Sequence, residues 1–98
     1  MVSVFHNKNF IGFSFMTDEA AIKAKAQKIP TEDLMLVAEV HTTELDKAFE
    51  LTNNITHSWT NNRDVKPFLT ECRSTSTGDI MEKNGRRYVV AAVGFVEI

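Results

Sequence analysis

Three histidines, His6, His41 and His57, and a single cysteine, Cys72, are the side chains best suited to ligate a metal or to pair a nucleophile with a base. Ligands on one helical face need a spacing such as H-x-x-x-H or H-E-x-x-H, and none links these residues. The spacing therefore supports neither a metal site nor a Cys–His pair. Arg73 adjoins Cys72, but neighbours on an extended chain face opposite ways, so Cys72 reads as a small buried apolar residue. The carboxylates Glu39, Glu44, Asp46, Glu71, Asp79 and Glu82 are spread over caps, strand ends and loops, with no pair held at acid–base distance by one element. The four glycines, Gly12, Gly78, Gly85 and Gly94, stand apart and form no phosphate loop. These residues imply neither catalysis nor a cofactor.

The most distinctive segment is Arg73-Ser74-Thr75-Ser76-Thr77-Gly78-Asp79. Successive hydroxyls can bond nearby backbone groups in turns, and the guanidinium fork of Arg73 can clamp loop carbonyls or the Asp79 carboxylate. One reading is a structural staple that ties a long loop to the hairpin after it. The other is a recognition loop, with Arg73 or Trp59 as an interface anchor. The candidate binding residues are Trp59, Arg63, Arg73, Ser74, Ser76 and Asp79. A second functional reading rests on two basic clusters, Lys23, Lys25 and Lys28, and Arg86 with Arg87, which would suit nucleic acid.

The elements that must position these residues follow from periodicity. Val2, Val4 and Phe5, then His6-Asn7-Lys8-Asn9, then Phe10 to Phe15 predict an N-terminal hairpin. Asp18 to Lys28 is rich in helix formers, with acid first and lysine last, and presents Ile22, Ala26 and Ile29 inward before Pro30 stops it. Leu34 to Val40 is a nearly continuous apolar run, the profile of a central strand that needs cover on both faces or a second copy of the chain. Thr43 to Asp46 resembles a capping box opening a second helix with Leu45, Ala48, Phe49, Thr52 and Ile55 inward, stopped at Asn53-Asn54. Thr56 to Gly78 shows no period and reads as a long irregular loop. A final hairpin turns at Asn84-Gly85, where a type I′ turn requires positive φ twice, and its second strand runs from Tyr88 to Val96. The expected fold is one α+β domain over residues 1–98, in the order ββαβαββ, with a mainly antiparallel sheet of about five strands and both helices on one face.

Composition limits the function classes. With 98 residues the chain buries only about 60–65% of its unfolded surface, enough for two layers and no more. The 43% hydrophobic and 24% charged content excludes disordered and collagen-like classes, and one cysteine excludes an intrachain disulfide. A formal charge of −2 gives no general attraction for nucleic acid. The absence of a signal-peptide pattern and of a long apolar span leads to the expectation of a cytoplasmic protein without membrane contact.

The run Leu45-x-x-Ala48-Phe49-x-Leu51-Thr52-Asn53-Asn54-Ile55, then Trp59, Arg73 to Ile80, Tyr88 and Gly94-Phe95 resembles small accessory proteins of tailed phages and other mobile elements. The C-terminal half is similar to the end of YodL-like domains, where R-S-x-S-x-(G or S)-D precedes a hairpin closing on G-F. That resemblance implies a small phage-type product made inside a bacterium. The resulting expectation is a non-enzymatic accessory protein that binds and modulates a host bacterial protein, acting in host takeover or anti-defence. It transfers no catalytic residue.

Overall fold

The computed structural model describes residues 1–53, 58–69 and 72–98. His57, Glu71, Ile55 and Asn54, each given a role above, lie outside the described residues, as do Thr56 and Thr70. The described chain forms β1 (Val2–Asn7), a 3-10 turn (Phe10–Phe13), α1 (Glu19–Gln27), β2 (Leu34–Val40), α2 (Leu45–Leu51), a 3-10 turn (Trp59–Asn61), β3 (Val65–Pro67), β4 (Ile80–Lys83), β5 (Arg86–Val90) and β6 (Phe95–Glu97). All strand pairs are antiparallel, in the order β3-β2-β1-β4-β5-β6. The α+β class is as the sequence predicts, with six strands in place of about five.

The N-terminal hairpin does not form. β1 is flanked by β2 and β4 and occupies the middle of the sheet. After it the Asn7 side chain accepts the Asn9 N–H at 3.0 Å, a local turn that diverts the chain into the 3-10 segment, and Phe13 is buried. The expected strand from Tyr88 to Val96 is two strands, because Ala91 N–H bonds the Gly94 carbonyl at 3.0 Å and Gly94 takes φ 76. Within the stretch expected to be irregular lies β3, three residues at the sheet edge, where Pro67 is tolerated.

Period-2 alternation gives each helix its own face of the sheet. Val2, Val4, Ala38, Val40, Met81 and Val90 form one core with Ala48 of α2 and with Trp59. Ile80, Val89 and Val96 form the other with Phe13 and with Ile22 and Ala26 of α1. The expectation of both helices on one face fails because neighbouring residues on the same strand, Ile80 and Met81, feed separate cores. A bulge between Val4 and Phe5 shifts the register against β2, so Val4 pairs Ala38 while Phe5 pairs Leu36.

The helix limits reflect local chemistry. α1 presents Ile22 and Ala26 to the core as its spacing predicts, with Ile29 packed beyond its end. The capping box does not form at α2. Thr42 Oγ1, not Thr43, accepts the Glu44 N–H at 3.2 Å. α2 closes where buried Thr52 donates its hydroxyl to the Ala48 carbonyl at 2.8 Å. The Asn84-Gly85 turn has φ 53 and 77, the type I′ geometry that the dipeptide predicts.

Candidate functional site

Asp79 is fully buried at the start of β4, and four donors converge on its two oxygens. Arg73 gives two parallel bonds, Nη1 to Oδ2 at 2.7 Å and Nη2 to Oδ1 at 2.6 Å. The Asn7 N–H reaches Oδ1 at 2.8 Å and the Ser76 N–H reaches Oδ2 at 2.8 Å. An ionised carboxylate has about four lone-pair positions, so this one is saturated. Arg73 also donates to the carbonyls of Ser74 at 3.0 Å and Asn7 at 3.3 Å, and its guanidinium stacks 3.7 Å over the Phe10 ring. Its own carbonyl accepts the Trp59 indole N–H at 2.8 Å.

This arrangement ties the loop to three parts of the chain. Asn7 Nδ2 donates to the Gly78 carbonyl at 3.1 Å, and Gly78 N–H donates to Val90 at 2.8 Å. Gly78 has φ 95, and a Cβ there would lie 2.6 Å from the Phe10 carbonyl oxygen, so the position requires glycine twice over. Thr75 N–H bonds the Thr52 carbonyl at 2.9 Å, and Asn53 Nδ2 bonds the Thr75 carbonyl at 2.6 Å, joining the segment to the end of α2.

Of the six candidate binding residues, five belong to this arrangement. Trp59 is 1% exposed and sits in the core, so its indole is not presented as an interface anchor. Arg73, Ser74, Ser76 and Asp79 form the buried and half-buried staple. Arg63 alone projects into solvent, 4.0 Å from Asp64. The basic clusters are partly occupied by neighbours. Arg87 pairs with Glu82 at 2.9 Å and stands over Phe5, Arg86 lies 3.9 Å from Glu97, and Lys25 donates to the Gly12 carbonyl.

A second arrangement, invisible in the spacing, begins one residue before Asn7. His6 points to the opposite face, where its ring meets Trp59 edge-on at 6.2 Å between centroids. Nε2 lies 3.0 Å from the buried Thr75 hydroxyl and 3.9 Å from Asp79 Oδ2. Nδ1 lies 3.3 Å from Cys72 Sγ. Burial lowers the His6 pKa from 6.5 to about 4, against the pull of Asp79 and with a small push from Arg73, so the ring is neutral at pH 7. Burial likewise raises the Cys72 pKa, which keeps the thiol protonated. The pair is a neutral thiol hydrogen-bonded to a neutral imidazole, not a thiolate–imidazolium nucleophile. It opens into a cleft of about 320 Å³ that Met35, Val37, Leu69, Lys8 and Asp33 also line.

Around that cleft the sheet edge is apolar. Met35, Leu36, Phe68 and Leu69 are 56%, 38%, 43% and 37% exposed. β3 pairs only Ala38 to Val40, and the Phe68 N–H extends the ladder to Val37. Among the described residues, no strand pairs the outer edge of Leu34 to Leu36. Comparison of the chain with protein-family models, curated proteins and solved structures finds no match, so the reading of the site rests on its own geometry.

Proposed function

We propose that the chain is a non-enzymatic binding protein, a small phage-type accessory product that docks on a protein of its bacterial host. The observation that carries this reading is the apolar rim at the β2 edge. Register sets Met35 opposite His6, on the face of α2, and sets Leu36 opposite Phe5, on the face of α1. By alternation along β3, Phe68 falls on the face of Leu36, while Leu69 lines the cleft beside Met35. An edge with apolar side chains on both faces suits an added strand, whose own side chains alternate between those faces. The occupant that fits is an extended segment of a partner protein with consecutive apolar residues. Exposed apolar clusters of this kind mark interaction sites on folded domains. The Arg73–Asp79 staple holds the scaffold behind this edge.

The test is a pull-down of the tagged protein from bacterial lysate, with and without nuclease, run beside Phe68→Asp and Arg63→Ala. The reading expects one stoichiometric host protein, lost with Phe68→Asp and kept with Arg63→Ala. Loss with Arg63→Ala alone moves the contact to the 56–78 segment, and recovery only of proteins bridged by nucleic acid sinks the reading in favour of the basic clusters.

A further inference from the structure

A strand added along Leu34 to Leu36 sets its side chains alternately on the two faces of the sheet, each beside the residue it pairs with. The side chain opposite Met35 falls on the face of α2, where Met35 lines the cleft of about 320 Å³ together with Val37, Leu69 and buried His6. A cavity of about 150 Å³ already takes a benzene ring, so this one has room for an aromatic side chain. The side chains on either side of that one, opposite Leu34 and Leu36, fall on the face of α1, where Leu36 and Phe68 are exposed.

The charges of the cleft lie at one end of this path. The His6 imidazole and the Cys72 thiol are neutral at pH 7, and the Arg73 cation is answered by the buried Asp79. What remains is Glu32, Asp33 and Lys8, two acids against one cation. Both acids belong to the 3-10 turn Thr31–Asp33 that leads into β2. Among the described residues neither is in an ion pair, and the Asp33 carboxylate accepts the neutral Asn9 amide at 3.0 Å. Asp33 and Met35 are two positions apart and line the same cleft, so residues spaced by two on an added strand reach both.

Given the docking proposed above, we infer that the partner segment is of apolar–aromatic–apolar–basic type, running antiparallel to β2 with its aromatic ring in the cleft beside Met35 and its lysine or arginine against Glu32 and Asp33. Antiparallel order is that of every pairing in this sheet, and it brings the base two residues after the ring. The ring in its pocket is the anchor of such a contact. The exposed charges add little affinity, and they fix direction and the choice of partner.

The experiment is a selection from a library of random peptides on the immobilised full chain, followed by fluorescence-polarisation titration of the enriched peptides in solution. Expected is enrichment of an aromatic residue two positions before lysine or arginine, with apolar neighbours. Replacing that aromatic by alanine in the peptide should weaken binding by about tenfold or more. On the protein, Phe68→Asp should abolish binding, and Glu32→Lys, at an exposed side chain, should weaken it by about fivefold. Enriched peptides that are lost with Phe68→Asp yet carry no base, carry no aromatic, or bind Glu32→Lys as tightly would overturn this motif and leave docking at the edge standing. Enriched peptides indifferent to Phe68→Asp, or no enrichment at all, would overturn it as well, and the pull-down then decides the docking by itself.

Discussion

His6 and Asn7 are adjacent on β1, yet the two faces they point to differ in kind. On the Asn7 side every polar group is engaged: the Asp79 carboxylate takes four donors, and Arg73 answers it in both arms while stacking on Phe10. On the His6 side one ring nitrogen is locked by Thr75 and the other meets a half-buried thiol at the wall of an open cleft. In the first arrangement the carboxylate is saturated from within the chain, although Asn7 and Arg73 also border the cleft. The second keeps soft and apolar groups at the surface. A buried ion pair is a poor stabiliser against an apolar replacement, but it is costly to break, because removing one partner strands the other. The saturated side therefore acts as scaffold, and the open side is where the docking proposed above is set.

The contrast is broken most severely at Arg73. Arg73→Ala leaves the fully buried Asp79 carboxylate with no cation, and a loss of about 3–5 kcal/mol in chemical denaturation is expected. In a domain of this size that amounts to a fall in melting temperature of well over about 10 °C.

Acid is the next lever, acting through His6, which faces Asp79, Arg73 and the Cys72 thiol. Its folded pKa of about 4 lies below the unfolded value of 6.5, so the unfolded chain binds the proton first as pH falls. The His6 contribution is fully present above about pH 6.5 and declines as pH falls towards 4, by roughly 3 kcal/mol. Denaturant midpoints measured across that window should show this slope, and His6→Gln should flatten it.

A smaller effect is expected from Gly78→Ala, where φ 95 and the 2.6 Å approach to the Phe10 carbonyl both oppose a side chain. A loss of about 1–3 kcal/mol should appear in thermal melts. The open side should barely register in stability. Phe68→Ser, at a side chain 43% exposed on the rim, is expected to shift unfolding by no more than about 0.5 kcal/mol.

Much of the scaffold was legible because its signals are local. The Asn84-Gly85 turn and the inward face of α1 are written within a few residues of one another, and Arg73 and Asp79 are close enough in sequence for the guanidinium to be matched to its carboxylate. β3 escaped notice because three residues ending in proline show no alternation. The two-faced helix arrangement depends on which strands flank β1, a long-range choice that no window of sequence contains. The Cys72–His6 pair escaped for the same reason. Sixty-six residues separate the two, and only the insertion of β1 between β2 and β4 brings the histidine beneath the loop that carries the thiol. The apolar run of β2 read as a strand needing cover, and its first half, Leu34 to Leu36, carries part of the exposed rim.

The measurement that bears most directly on the division between scaffold and open side is a double-mutant cycle on Arg73 and Asp79. Arg73→Ala, Asp79→Ala and the pair together would be compared with the unsubstituted chain by urea denaturation. If the staple is the structural hub described here, the two losses are strongly non-additive, with a coupling of about 2 kcal/mol or more. Additive losses, with a coupling below about 0.5 kcal/mol, would contradict it and return Arg73 to the role of a surface recognition residue.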